Sequence, residues 1–228
     1  MRIYLYTVFI LFLCANGYAQ RRWTVKAGES IKEAMGDSII FRYSQFVPGT
    51  VYFKNGPAST AALNLNLVNG EMEFINGAGD TMTVDYESTL KYIVIQTDTF
   101  YYDKVFVELI YSNATAKLAR MVAIVPVDAE KVGGYDQASS TSAINTAGYF
   151  FNGNQFSRLT ANKVLVLHKK TTYFIGDKFN HFLPAAKRNI YKMFGKQQPA
   201  VENFIKENKP VFNRKEDLVK IVDLLGKE

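Results

Sequence analysis

The chain is poor in the residues that most often announce chemistry. It holds one cysteine, Cys14, and two histidines, His168 and His181. A lone thiol makes no internal disulfide and no Cys-based zinc site, so stability has to come from packing. Neither histidine has a second ligand two to four residues further on, and no calcium-loop pattern is present, so no metal and no cofactor is expected. Long apolar runs are also missing. The longest, Val8-Phe9-Ile10-Leu11-Phe12-Leu13, is too short for a membrane span. Basic and acidic residues number 27 and 21, for a net charge of +6, and are interspersed along most of the chain. That balance favours a mixed-charge surface over a polyanion-binding stripe running the whole length.

What is present begins at the N-terminus. Arg2, the short apolar centre and Gly17-Tyr18-Ala19, with small residues at two peptidase-read positions, form the layout of a secretory signal peptide. Cleavage is expected after Ala19, leaving Gln20 first. The alternatives are a retained anchor and lipidation at Cys14, although Leu13 is bulkier than a lipobox allows before its cysteine. The expected organisation is a signal peptide over 1–19, a β domain over 20–178 and a helical segment over 179–228.

Aromatic residues make up 14% of the chain, with 17 Phe and 14 Tyr, and favour strands. Leu63, Leu65 and Leu67 alternate with Asn64 and Asn66, which predicts leucines inside and asparagines outside. Met72 and Phe74 alternate with Glu71 and Glu73 in the same way. Short turns predict hairpins joining 92–96 to 99–102 around Thr97-Asp98, and 105–111 to 115–125 around Ser112-Asn113-Ala114. A further hairpin is predicted from 164–168 and 171–175 around Lys169-Lys170. Residues 126–145, rich in Gly and Ser, read as a long loop, either mobile or functional. Beyond Gly176 the spacing becomes helical, with apolar faces at Ile190, Met193 and Phe194, at Val201, Phe204 and Ile205, and at Leu218, Ile221, Val222 and Leu225. Asn213 and Glu216 suit a capping box for the last helix. The fold class is therefore α+β, mainly β. An antiparallel meander rolls into a β-roll or partly open barrel, and three short C-terminal helices pack on it.

Several stretches carry a family likeness. These are Phe46-Val47-Pro48-Gly49-Thr50-Val51, Gly70-Glu71-Met72-Glu73-Phe74-Ile75 with Gly79-Asp80-Thr81, and Lys91-Tyr92-Ile93-Val94-Ile95 before Phe100-Tyr101-Tyr102. Ser139-Ser140-Thr141-Ser142 and Lys215-Glu216-Asp217-Leu218-Val219-Lys220 belong with them. Together they resemble an uncharacterised family of exported, signal-peptide-bearing proteins of Bacteroidota. The resemblance implies a cell-envelope setting and brings no catalytic residues with it.

Catalytic patterns are thin. Ser139, Ser140 and Ser142 could join His168 or His181 and Asp103 or Asp136 in a triad, but no G-x-S-x-G elbow holds a nucleophile. Glu71 and Glu73 share one strand face, read as a solvated one. Gly77-Ala78-Gly79 precedes a strand, where a phosphate loop needs a helix. The better candidates are binding residues. Tyr101, Tyr149 and Tyr173 sit in aromatic clusters suited to stacking on sugar or protein. Lys187, Arg188, Lys192 and Lys196 form a basic stripe suited to lipid phosphates. The expected function is thus a non-enzymatic, exported envelope protein with a binding or structural role, periplasmic, outer-membrane-associated or extracellular. Its partner would be envelope glycan, anionic lipid or another envelope protein, with no nucleic acid. The alternative is a hydrolase acting on envelope glycan or lipid.

Overall fold

The computed structural model describes residues 21–85, 87–127 and 164–227. Residues 128–145 of the expected loop, and Tyr149, lie outside them. Eleven strands among the described residues form one antiparallel sheet: β1 (Arg22–Val25), β2 (Val47–Phe53), β3 (Ala58–Leu65), β4 (Met72–Ile75), β5 (Thr81–Thr83), β6 (Leu90–Ile95), β7 (Asp98–Asp103), β8 (Val105–Ser112), β9 (Ala116–Pro126), β10 (Leu165–Asp177) and β11 (Phe182–Pro184). Their spatial order is β1-β10-β9-β8-β7-β6-β2-β3-β4-β5, with β11 also on β10. The sheet stays open but is strongly rolled. Leu67, just past β3, accepts a hydrogen bond from the Ile124 N–H of β9 at 2.8 Å, five places away in the strand order. Mainly β structure, rolled and partly open with C-terminal helices, is the architecture that the alternating runs and short turns called for.

Two apolar clusters hold the fold. The larger centres on residues such as Leu63, Ile93, Ile95 and Phe100, all fully buried. The second joins Ala116, Leu118 and Ile175 of β9 and β10 to the helices α3 (Lys187–Met193), α4 (Gln198–Asn208) and α5 (Lys215–Leu225). Each of these helices is too short to persist alone, so its buried stripe is what keeps it in place.

Gly49 sits at a close approach of two backbones inside the roll. A Cβ there would lie 2.8 Å from both Leu63 Cδ1 and the Val94 carbonyl oxygen. The carbonyl belongs to the β6 backbone and cannot swing aside. Gly49→Ala should therefore cost about 2 kcal/mol by overpacking. In a chain of this length that lowers the melting temperature by roughly 4–8 °C. A thermal scan matching the parent would mean the β2–β6 contact is looser than described.

Four local expectations need correction. Residues 164–175 do not form a hairpin: β10 runs unbroken through Lys169 and Lys170, paired with β9 from Leu167 to Asp177. Neither lysine supplies the positive φ of a tight hairpin turn, so continuous pairing wins. Asn64 is fully buried, although the alternation put it outside. Glu71 and Glu73 are half-buried and buried respectively, and their carboxylates accept hydrogen bonds from Asn69 and Asn66 at 2.8 Å each. Asn213 does not cap α5. Asp217 instead accepts the Val211 N–H at 2.9 Å and the Arg214 guanidinium, closing the turn from within the helix. Two helices also precede the meander, α1 (Ile31–Met35) and α2 (Asp37–Ile40), with Ser30 and Glu33 forming a capping box on α1.

Candidate binding face and its polar support

Strand register sorts the predicted residues onto two faces. Phe100, Glu108, Arg120 and Tyr173 are successive partners across β7, β8, β9 and β10, so they share a face. Tyr101, next to Phe100, points the opposite way. Tyr173 packs into the cluster around the C-terminal helices. The structure therefore does not bring Tyr101 and Tyr173 together, and Tyr149 is outside the described residues. Lys187, Arg188, Lys192 and Lys196 are all exposed, on α3 and the turn after it, with the Lys187 ammonium 5.4 Å from the centre of the Tyr191 ring.

Tyr101 instead belongs to a row of rings that sequence reading did not assemble. Tyr52 of β2 and Tyr92 of β6 are register partners, with ring centres 4.6 Å apart. Tyr92 lies 6.1 Å from Tyr101 of β7, and Tyr101 lies 5.6 Å from Phe182 of β11. These spacings fall within the range of favourable aromatic pairing. The three tyrosines are half-buried, while Phe182 is only 5% exposed.

Two features seat Phe182 at the end of the row. Its N–H donates to the Asp103 carboxylate at 2.7 Å, which ties β11 to the end of β7. Its ring occupies the space over Gly176, its register partner, where any Cβ would collide with it. Positive charge lies beside the rings. Lys91 Nζ is 5.8 Å from the Tyr92 centre and Lys117 Nζ is 6.0 Å from that of Tyr101. Burial, with the Tyr92 phenol adding to it, raises the Tyr101 hydroxyl above its ordinary pKa. Burial lowers that of Lys117, whose ammonium also donates to the Asp177 carbonyl at 3.1 Å.

The opposite face carries a cluster of charged side chains. Arg42, in the segment after α2, donates from Nε to Glu108 at 3.0 Å and from Nη2 to Glu108 and Asp98 at 3.2 and 3.3 Å. Arg120 donates to the same Glu108 at 2.5 Å, and the Tyr43 hydroxyl donates to Asp98 at 2.7 Å. Burial works against ionisation of Glu108, but bonds from the two guanidinium groups outweigh it and hold its pKa below the usual range. Burial comes first in raising the pKa of Tyr43, followed by its bond to Asp98.

Asn64 explains how Arg42 and Tyr43 are held. Its amide accepts the Tyr43 N–H at 3.0 Å and donates to the Tyr43 and Gln45 carbonyls at 2.9 and 3.2 Å. It works as a bracket for a segment without regular structure, which is why a polar side chain is fully buried there.

The cluster binds itself rather than offering reactive groups. Both Glu108 oxygens are occupied, and Asp98 receives both a guanidinium and a phenol. Among the described residues no group of three or more His, Cys, Asp or Glu side chains is arranged to hold a metal ion. His181 bonds to Asp177, 3.1 Å away, on an exposed turn. Compared with known proteins, the chain matches no family model, no curated protein and no solved structure.

Proposed function

We propose that this chain is an exported, non-enzymatic protein of the cell envelope, whose task is to bind an envelope glycan. One observation carries the reading: the row Tyr52, Tyr92, Tyr101 and Phe182, three of them half-buried, with Lys91 and Lys117 alongside. Half-buried tyrosines supply contact area that is already ordered, so little side-chain entropy is lost when a ligand settles on them. Sugar rings present C–H faces that stack on such surfaces, and the two lysines favour a chain carrying acidic groups. The layout at the N-terminus supports delivery to the envelope. Occupation of both Glu108 oxygens by guanidinium groups supports a scaffold role for that cluster.

The test is co-sedimentation of the secreted protein with cell-wall sacculi and with extracted acidic polysaccharide. The variant is Tyr92→Ala combined with Tyr101→Ala. Truncating central aromatic contacts costs about 2 kcal/mol or more, so binding should weaken at least tenfold while circular dichroism is unchanged. Equal retention of parent and variant would rule out the rings as the binding face.

A further inference from the structure

A groove lies where α1 and α2 cover the β3–β5 end of the sheet, and it shares no residue with the row of rings. The groove has a volume of about 400 Å³. Apolar side chains, among them Ile40, Phe41, Phe46 and Val68, make up half of its lining, and polar ones, among them Asn66 and Thr81, make up the other half. Phe41 and Phe46 meet edge to face with centres 5.3 Å apart, so aromatic surface is available within the groove. At the rim, Lys32 and Asp37 neutralise one another across 3.2 Å.

The remaining charge is Glu73. It lines the groove, is 9% exposed, and accepts one hydrogen bond, from Asn66 Nδ2 to Oε1 at 2.8 Å. Its other oxygen has no hydrogen-bond partner among the described residues. That oxygen is not among the buried atoms cut off from both partner and solvent, so it is the open end of the carboxylate. Its surroundings are acidic. Burial and the nearby Glu73 charge raise the pKa of Glu71, and Asp85 and Glu87 push in the same direction. A groove with an aromatic wall and an open carboxylate oxygen complements a cation with an apolar body.

We infer that this groove binds a small organic cation: an ammonium head on Glu73 Oε2, and an apolar or aromatic body against Phe41, Phe46 and Val68. Both phenylalanine rings favour the positive end of such a ligand as well as its apolar part.

The test uses three probes of similar size on the intact folded chain, followed by calorimetry and by NMR shifts. These are benzylammonium, the neutral benzyl alcohol and the anionic phenylacetate. Benzylammonium should bind at least tenfold more tightly than benzyl alcohol, phenylacetate should bind least, and the shifts should centre on Phe41, Phe46 and Val68. Glu73→Gln keeps an oxygen for the Asn66 amide, so it should retain the fold, erase the tenfold preference and leave benzyl alcohol unaffected. Lys32→Glu, at an exposed rim position, should strengthen benzylammonium binding several-fold. Absence of benzylammonium binding, equal affinity for all three probes, or a preference that survives Glu73→Gln would overturn the assignment.

Discussion

Leu65→Asp should abolish cooperative folding. Leu65 is 6% exposed on β3, flanked on the same face by Leu63 at 0% and by Leu67 at 1% beyond the strand end. Removing a buried leucine alone costs about 2–5 kcal/mol. Placing an unpaired carboxylate in the same space adds several more. The sum is comparable with the roughly 5–15 kcal/mol that stabilises an ordinary domain. The expected result is loss of the thermal transition and of native circular dichroism. Thr60→Asp is the matched control: it lies on the same strand but is exposed, and should change stability by less than about 0.5 kcal/mol. A Leu65→Asp protein that melts like the parent would show that β3 does not present its leucines to the core.

Glu108→Gln should be the most damaging conservative change among the charged residues. It takes away the common partner of Arg42 and Arg120 while leaving both guanidinium groups in place. Breaking one side of a buried ion pair costs about 3–5 kcal/mol. Here the arginines are about a third exposed, so solvent screening brings the expectation to about 2 kcal/mol. The pH dependence gives an independent readout. Because the folded-state pKa of Glu108 is depressed, its stabilisation is complete above the unfolded value of about 4.3. It is lost as the pH falls through the folded value, since the unfolded chain takes up the proton first. The stability gap between parent and Glu108→Gln should therefore be widest at neutral pH and narrow as the solution is acidified below about pH 4. A gap that stays constant with pH would mean that the cost of the change is steric.

The strands were legible where one face is wet and the neighbouring strand is next in sequence. Alternation at Leu63, Leu65 and Leu67 and the turns after Ile95 and Ser112 sufficed for that. Asn64 was misread because polar patterning cannot distinguish an amide facing water from one satisfied by backbone groups. Lys169-Lys170 was misread as a turn because its position in the middle of a β-rich run outweighed the absence of Gly, Asn or Asp. The helix α1 had a signal, Ser30 with Glu33 three residues on, that could have been found. Tyr101 stood out as a candidate by composition, but its neighbours did not. They depend on β6 lying beside β2, which the non-sequential order of the sheet brings about, and on β11 pairing back on β10 over Gly176, close to Tyr101 on a strand three places from β10. Arg42 and Glu108 are coupled through the same wiring, which no local window contains.

That wiring also sets an order of events. The strands β6 to β9 are joined by short turns, so each can pair with its predecessor as soon as it is made. The first strand is different: Arg22 of β1 pairs with His168 of β10, and among the described residues β1 has no other partner in the sheet. Loop closure over so much chain is slow, and it waits until β10 itself exists. β1 consequently docks among the last, and until then the β10 edge from Leu165 to His168 is bare. During that interval this edge is most open to pairing with another copy of the chain.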